Sequence, residues 1–286
     1  MDTIAINPGA QEGRGYETIL TAFSEPTLHE LCTPVVYGIY DVAEAKRQAM
    51  QVETRIGKAS NAEDARENRV NIVETPAGEM PQAEMLVHAS ARTRLEPKEN
   101  ELLVTVGENM RIALPATGKD VEATAASLTT EAVAARIVQT EEAISRDFLL
   151  THPRIALLSL HEDDQAVETD VLMPAIGQAI GKGINAFGPF PATEFFQMGD
   201  YHSYDGILTF VPSQVKDAFK QENVSFEVRY LTDQDNIQVA VGHDNVLDFT
   251  NAIYLATDIR RHREAFDQAH IDPLQKLFHD KREERR

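Results

Sequence analysis

The chain has 286 residues, 42% hydrophobic and 26% charged, with a formal net charge of −19. That length fills two modest α/β domains or one large one, and the acidity excludes nucleic acid and an anionic membrane surface as ligands, since both need a basic face. Apolar runs such as Ile155-Ala156-Leu157-Leu158 are too short to span a bilayer, and Met1-Asp2-Thr3-Ile4 has neither the basic nor the apolar region of a secretory leader, so a cytoplasmic protein is expected.

In chain order, residues 2–7 read as a strand. The loop Asn7-Pro8-Gly9-Ala10-Gln11-Glu12-Gly13-Arg14-Gly15 then leads to a helix from near Tyr16, with Ile19, Leu20 and Phe23 on one face. Gly9, Gly13 and Gly15 have two readings. Either they let backbone N–H groups approach a phosphate or carboxylate at the helix N-terminus, or they make a tight turn that needs positive φ. Their spacing, G-x-x-x-G-x-G, is not the dinucleotide fingerprint. The single cysteine, Cys32, excludes a disulfide framework and a cysteine-rich zinc site, and it reads as packing ahead of the strand Val35–Tyr40. Asp41 is expected to cap a helix over 42–50.

Residues 51–68 are polar, 68–74 read as a strand, and Leu86-Val87-His88 is a short apolar strand inside the Pro- and Glu-rich stretch 75–100. Leu102–Val106 and Met110–Leu114 flank Gly107-Glu108-Asn109 as a hairpin. A helix follows from Leu128 to about residue 148, capped by Thr129 or Thr130, and then the strand Ile155–Leu160. His161-Glu162-Asp163-Asp164 ends that strand as a divalent-cation ligand set or as a solvated acidic turn. Asp170–Lys182 reads as a helix stopped near Gly181 and Gly183.

The run Tyr204-Asp205-Gly206-Ile207-Leu208-Thr209-Phe210-Val211-Pro212-Ser213-Gln214 is an apolar strand behind an Asp-Gly turn signal. The carboxyl end of such a strand faces the ligand crevice of an α/β protein. Here it carries Pro212 and Ser213, which neither bind a metal nor move a proton near neutral pH. A helix over Val215–Gln221 presents Lys216 and Lys220, and Lys220 is either an anion contact or a solvated lysine. Strands over 226–231 and 237–241 lead to Gly242-His243-Asp244-Asn245 and Asp248, where His243 is a substrate contact or a turn residue. A helix over 246–263 and a charged tail from Lys276 close the chain. The alternation of strands and helices predicts a three-layer α/β/α architecture with right-handed crossovers.

Together these segments resemble the 4-hydroxythreonine-4-phosphate dehydrogenase family of pyridoxal phosphate biosynthesis. The likeness rests on Gly9 to Glu17, Leu31-Cys32-Thr33-Pro34-Val35-Val36-Tyr37-Gly38, the strand from Pro153 to Leu160, Met173-Pro174-Ala175, Gly183-Ile184, Phe187-Gly188-Pro189, Tyr204-Asp205-Gly206-Ile207-Leu208 and Gln214 to Lys220. It implies an isocitrate/isopropylmalate-dehydrogenase-like fold of two lobes around a cleft, with residues 1–106 plus 246–286 in one lobe and 107–245 in the other. It also implies a homodimer, NAD or NADP as cofactor, and a divalent metal held by three histidines that polarises the hydroxyl of 4-phosphohydroxy-threonine.

Position by position, the family lysine matches Lys220, and His243 and Asp248 match as well. The family asparagine falls on Arg229 and the family arginine on Gln238; the Gly-Thr after the histidine has become Asp244-Asn245, and the first-loop Asp has become Ala10. Of the metal histidines, the first is lost from the shortened segment Pro115-Ala116-Thr117, the second has only His161 as a substitute, and the third falls on Pro212, with Ser213 in place of its neighbouring Asp. The expected function is therefore that of a divergent family member, impaired or inactive in metal- and NAD-dependent oxidation. One alternative is a working NAD(P)-dependent dehydrogenase on this or another phosphorylated or acidic substrate, using a site rebuilt from His161, an acidic side chain and His243. The other is a non-catalytic ligand-binding or regulatory partner subunit, with a phosphorylated ligand near Lys220, Arg229 and the first loop.

Overall fold

The computed structural model describes residues 1–76, 79–118, 120–160, 165–232 and 236–270. The N-terminal part comprises β1 (Asp2–Asn7), α1 (Gly15–Ala22), α2 (Pro26–Leu31), β2 (Cys32–Gly38), α3 (Tyr40–Met50), β3 (Ile56–Ala59), β4 (Val70–Glu74) and β5 (Met85–His88). The hairpin β6 (Leu102–Gly107) and β7 (Met110–Pro115) follows, then α4 (Val121–Ser127), α5 (Thr130–Phe148) and β8 (Arg154–Leu158). A short turn α6 (Gln165–Val167) and a wide π-helical turn (Glu168–Leu172) enter α7 (Met173–Gly181), followed by β9 (Asn185–Phe190) and α8 (Ala192–Gln197). The chain then forms a 3₁₀ turn (Asp200–Ser203), β10 (Gly206–Leu208), α9 (Pro212–Gln221), β11 (Val228–Leu231), β12 (Ile237–Val241) and α10 (Val246–His270).

Among the described residues the strands form one 12-stranded sheet in the order β3-β4-β2-β1-β5-β12-β11-β6-β7-β10-β8-β9. From β3 to β12 every pairing is parallel. β11 is antiparallel to both β12 and β6, and β6 is antiparallel to β7. The remaining strands β10, β8 and β9 run parallel to β7. The two parallel blocks therefore run in opposite senses.

Helices cover both faces. One core packs Ile4, Ile6, Val36, Val87 and Val239 beneath the helices around Ile19, Phe23, Phe249 and Ile253, and continues through Val133, Ile137 and Ile176 over Ile155 and Leu157. A second core, on the reverse face of β7, β8 and β10, joins Ile112, Leu158 and Ile207 to Phe195, Phe196 and Phe219. Burying such apolar side chains supplies most of the favourable free energy of folding.

Several local expectations shift for physical reasons. α3 starts at Tyr40 rather than after Asp41; its N-cap is Ile39, whose N–H donates to Tyr16 Oη at 2.8 Å. The helix expected from Asp170 is regular only from Met173, because Pro174 lacks the N–H that an α-turn needs. β10 ends at Leu208, so Pro212 and Ser213 do not close a strand. Pro212 opens α9, where its fixed φ and missing N–H cost nothing. Thr129 caps α5 as expected, accepting from Ala132 N at 3.2 Å. Cys32 is buried and its thiol is pushed up to about 12 by desolvation, which suits packing. No helix among the described residues is long and apolar enough to cross a membrane.

A buried ion pair ties α5 to α10. Arg263 Nε donates to Asp147 Oδ1 at 2.6 Å and Arg263 Nη2 to Asp147 Oδ2 at 3.2 Å, with Asp147 2% exposed. Burial and the neighbouring Asp147 raise the hydroxyl pKa of Tyr230 well above its ordinary value. Asp147→Ala would strand the guanidinium in the core, so it should lower the unfolding free energy by about 3–5 kcal/mol. Urea denaturation of this variant beside Asp147→Leu/Arg263→Met is the check, and the paired replacement should recover most of the loss.

Candidate ligand site at the carboxyl edge of the parallel strands

The pairing places four side chains in one row across the sheet. Asn7 of β1 is opposite His88 of β5, His88 is opposite Ala240 of β12, and Ala240 is opposite Arg229 of β11. Side chains alternate along strands, so this row points away from the core that Ile6, Val87 and Val239 share with α1 and α10. On the face it occupies His88 and Ala240 are buried. Asn7, Arg229 and Gln238 are half-buried, and Thr3 is exposed. A hollow of about 360 Å³, lined partly by Thr3, Ala5, Val35 and Tyr37, opens on the same face.

The hydrogen bonds fix the polarity of His88. Gly9 N donates to Asn7 Oδ1 at 2.9 Å, so the Asn7 amide turns its Nδ2 toward His88 Nδ1, 3.1 Å away. Asn7 Nδ2 can only donate, so His88 Nδ1 accepts and the ring proton sits on Nε2. That Nε2 is buried and has no partner. His88 is only 8% exposed, and desolvation pushes its pKa down to about 4, so the ring is neutral at physiological pH.

The first loop meets this row from above. Gly9 adopts φ +76°, and a Cβ there would lie 2.8 Å from Ser90 Cβ. A Cβ at Gly15 would overlap the Pro8 carbonyl, so Gly15 allows the loop to close onto α1. Positive φ thus occurs in this loop at Gly9, Gly15 is set by close packing on Pro8, and Gly13 N closes a turn on Ala10 O at 2.9 Å. The same loop still delivers the N-terminus of α1 to this edge.

Arg229 donates from Nη2 to Val241 O at 2.7 Å, while its Nε stands 3.8 Å from Glu227 Oε1 and is buried without a hydrogen-bond partner. Asp248, fully buried at the start of α10, accepts from His243 N at 2.8 Å and from Asn245 Nδ2 at 3.2 Å, and lies 3.0 Å from the His243 ring. Asp248 is thus a structural anchor for the 242–245 turn, whereas the His243 side chain is 63% exposed. Asp244 Oδ1 accepts from Ala91 N at 2.7 Å and pins that turn to the segment after β5.

Lys220 is exposed on α9. Its neighbour Phe219 packs with Val224 against Gly107, at the tip of the β6–β7 hairpin, which brings Lys220 toward the edge that holds Arg229. Among the described residues no hydrogen bond or ion pair joins Lys220 to Arg229 or His243. Pro212 and Ser213 follow β10, in the block of opposite sense, and so leave the sheet on the other side. Gln214 there is structural, since its Nε2 donates to Ser159 O at 2.8 Å and ties the ends of β8 and β10. His161 lies outside the described residues.

The residues at the positions assigned to metal ligands do not suit a three-histidine site. Pro212 offers no side-chain donor atom, Ser213 only a hydroxyl, and the segment after β7 runs Pro115-Ala116-Thr117. Among the described residues no group of three or more His, Cys, Asp or Glu gathers to hold a metal. Sequence reasoning passed over Asn7 and His88. The available signal was a lone histidine closing an apolar strand, and only the sheet order sets it beside Asn7 and one strand away from Arg229.

Comparison with known proteins places these features in context. A model of the family "Pyridoxal phosphate biosynthetic protein PdxA" matches residues 82–269. A 4-hydroxythreonine-4-phosphate dehydrogenase from Bacteroides thetaiotaomicron is 27% identical over 345 residues, covering 98% of this chain and 95% of the relative. One from Xanthomonas axonopodis pv. citri is 30% identical over 145 residues, 49% of this chain and 45% of the relative. In three dimensions the fold matches a putative 4-hydroxythreonine-4-phosphate dehydrogenase from Salmonella typhimurium with a TM-score of 0.68, at 17% identity over 91% of this chain and all of that one.

Two outcomes test the geometry of this edge. The unfolded chain takes up a proton on residue 88 near pH 6.5, whereas the folded one resists until about 4. Stability held above pH 6.5 should therefore fall as pH drops toward 4, by about 2–3 kcal/mol. Unfolding free energies at pH 7 and 4.5 should differ less, by that amount, in His88→Gln. Asp248→Ala should cost about 1–3 kcal/mol by orphaning the His243 N–H, and His243→Ala under about 1 kcal/mol, both read by thermal denaturation.

Proposed function

The chain belongs to the family of the pyridoxal phosphate biosynthetic protein PdxA, and on that premise we propose that it is a ligand-binding member impaired or inactive in metal- and NAD-dependent oxidation of 4-phosphohydroxy-threonine. One observation carries the reading. At the position that the family likeness gives to a metal-binding histidine stands Pro212, the first residue of α9, whose ring presents only hydrocarbon. A site reduced toward a single donor loses most of its metal affinity, and several kcal/mol of transition-state stabilisation go with it.

Ligand binding is supported by what remains on the other edge. Arg229 is half-buried there with its Nε 3.8 Å from Glu227 Oε1, Lys220 is carried toward it, and the loop with Gly9, Gly13 and Gly15 brings the N-terminus of α1. In a chain of net charge −19 this local collection of cationic side chains and N–H groups suits a small phosphorylated or acidic molecule. A cytoplasmic homodimer is part of the same proposal.

The test uses the purified full chain with NAD, NADP and 4-phosphohydroxy-L-threonine, each with zinc, magnesium or manganese. The expected result is no reduced nicotinamide above a protein-free control, with calorimetry still registering uptake of the phosphorylated substrate. Metal-dependent turnover that a chelator abolishes would overturn the proposed loss of chemistry.

A further inference from the structure

Buried donors without partners are costly, on the order of 1–3 kcal/mol each, and folded proteins retain few of them. This sheet keeps two on one face. His88 Nε2 and Arg229 Nε are both buried without a hydrogen-bond partner, Arg229 Nε standing 3.8 Å from Glu227 Oε1. They belong to side chains separated in their row by the small, fully buried Ala240. Two strand spacings put their backbones roughly 10 Å apart, within reach of one anion bound between the two side chains. Asn7 fixes the ring so that the free nitrogen is a donor, and the Nη2 bond to Val241 O holds the guanidinium.

We propose that His88 and Arg229 together clamp an anionic oxygen group of the ligand, a phosphate or a carboxylate, with His88 donating through Nε2 and Arg229 through Nε. This rests on the ligand-binding reading above and goes further, since it assigns a specificity-determining contact to a residue that no part of the family likeness singled out. The neutral state of His88 fits the role: it donates one hydrogen bond without adding a charge, and Arg229 supplies the charge. The clamp selects for oxygen acceptors, and a ligand offering a donor here would leave all three groups unpaired.

The experiment is a titration of the full chain, labelled with ¹⁵N-histidine and ¹⁵N-arginine, with inorganic phosphate and separately with succinate. Before ligand, the His88 resonances should report a protonated Nε2 and an unprotonated Nδ1 at pH 7. Saturable shifts of His88 Nε2 and Arg229 Nε with one anion and not the other identify the group that is held. His88→Ala and Arg229→Ala should each weaken that anion at least about tenfold, with His88→Gln in between. Unchanged affinity in folded His88 variants, or Arg229 shifts with silent His88 signals, would overturn the clamp and leave the ligand-binding proposal standing. If the wild type binds neither anion but takes up 4-phosphohydroxy-L-threonine with silent His88 signals, the clamp again fails alone. If that substrate does not bind either, both readings fall. Should His88→Ala fail to fold, the wild-type shifts decide.

Discussion

β11 is hydrogen-bonded antiparallel to β12 and to β6, and β6 is antiparallel to β7; these three successive antiparallel pairings reverse the sense of the sheet. Everything functional follows from the reversal. The block containing β1, β5 and β12 presents its carboxyl ends on one edge, and the block containing β10 and β8 presents its own on the other. β11 begins at the first edge because it runs against β12, so Arg229 stands in line with Ala240, His88 and Asn7 although these residues are far apart in sequence. α9 then runs back from Pro212, and its end packs against the hairpin tip at Gly107, carrying Lys220 toward the first edge.

The two edges are built differently. On the first, turns are tied down around the strand ends. The glycine loop closes through Gly9 and Gly15, the 242–245 turn is anchored by Asp248, and Asp244 staples that turn to Ala91. On the second, structural bonds hold the strand ends together. Gln214 ties the ends of β8 and β10, and Pro212 starts a helix. The alignment with the Bacteroides relative extends over 345 residues while this chain has 286, so the relative carries insertions that this chain lacks. Loops contribute little to a buried core and much to a site.

The architecture was legible because local patterns and packing agreed. The β-branched run of the first strand, the hairpin around Gly107 and the stripe Val133, Ile137 and Ile144 on α5 all bury the faces that their periodicity marks. Short elements escaped. α2, α4 and β3 are too brief to show a period, and α4 is set by a cap, with Ala123 N donating to Asp120 Oδ1 at 2.7 Å. The turn into α7 could not be placed from its apolar pattern, since Pro174 there alters hydrogen bonding without altering hydropathy. Of the residues expected to touch a ligand, Arg229 and His243 share an edge, while Asp248 serves the backbone.

By itself the sequence determined the class of fold and the family resemblance, because each of these is a matter of residue type at a position. Tertiary structure alone decided which positions meet. Strand order put Asn7, His88, Ala240 and Arg229 in one row, and hydrogen bonding to Asn7 assigned the ring proton to Nε2. Burial then left that nitrogen and Arg229 Nε without partners. Sequence spacing carries no information on such a row, since pairing between distant strands is fixed by the packing of the whole sheet and not by any local preference.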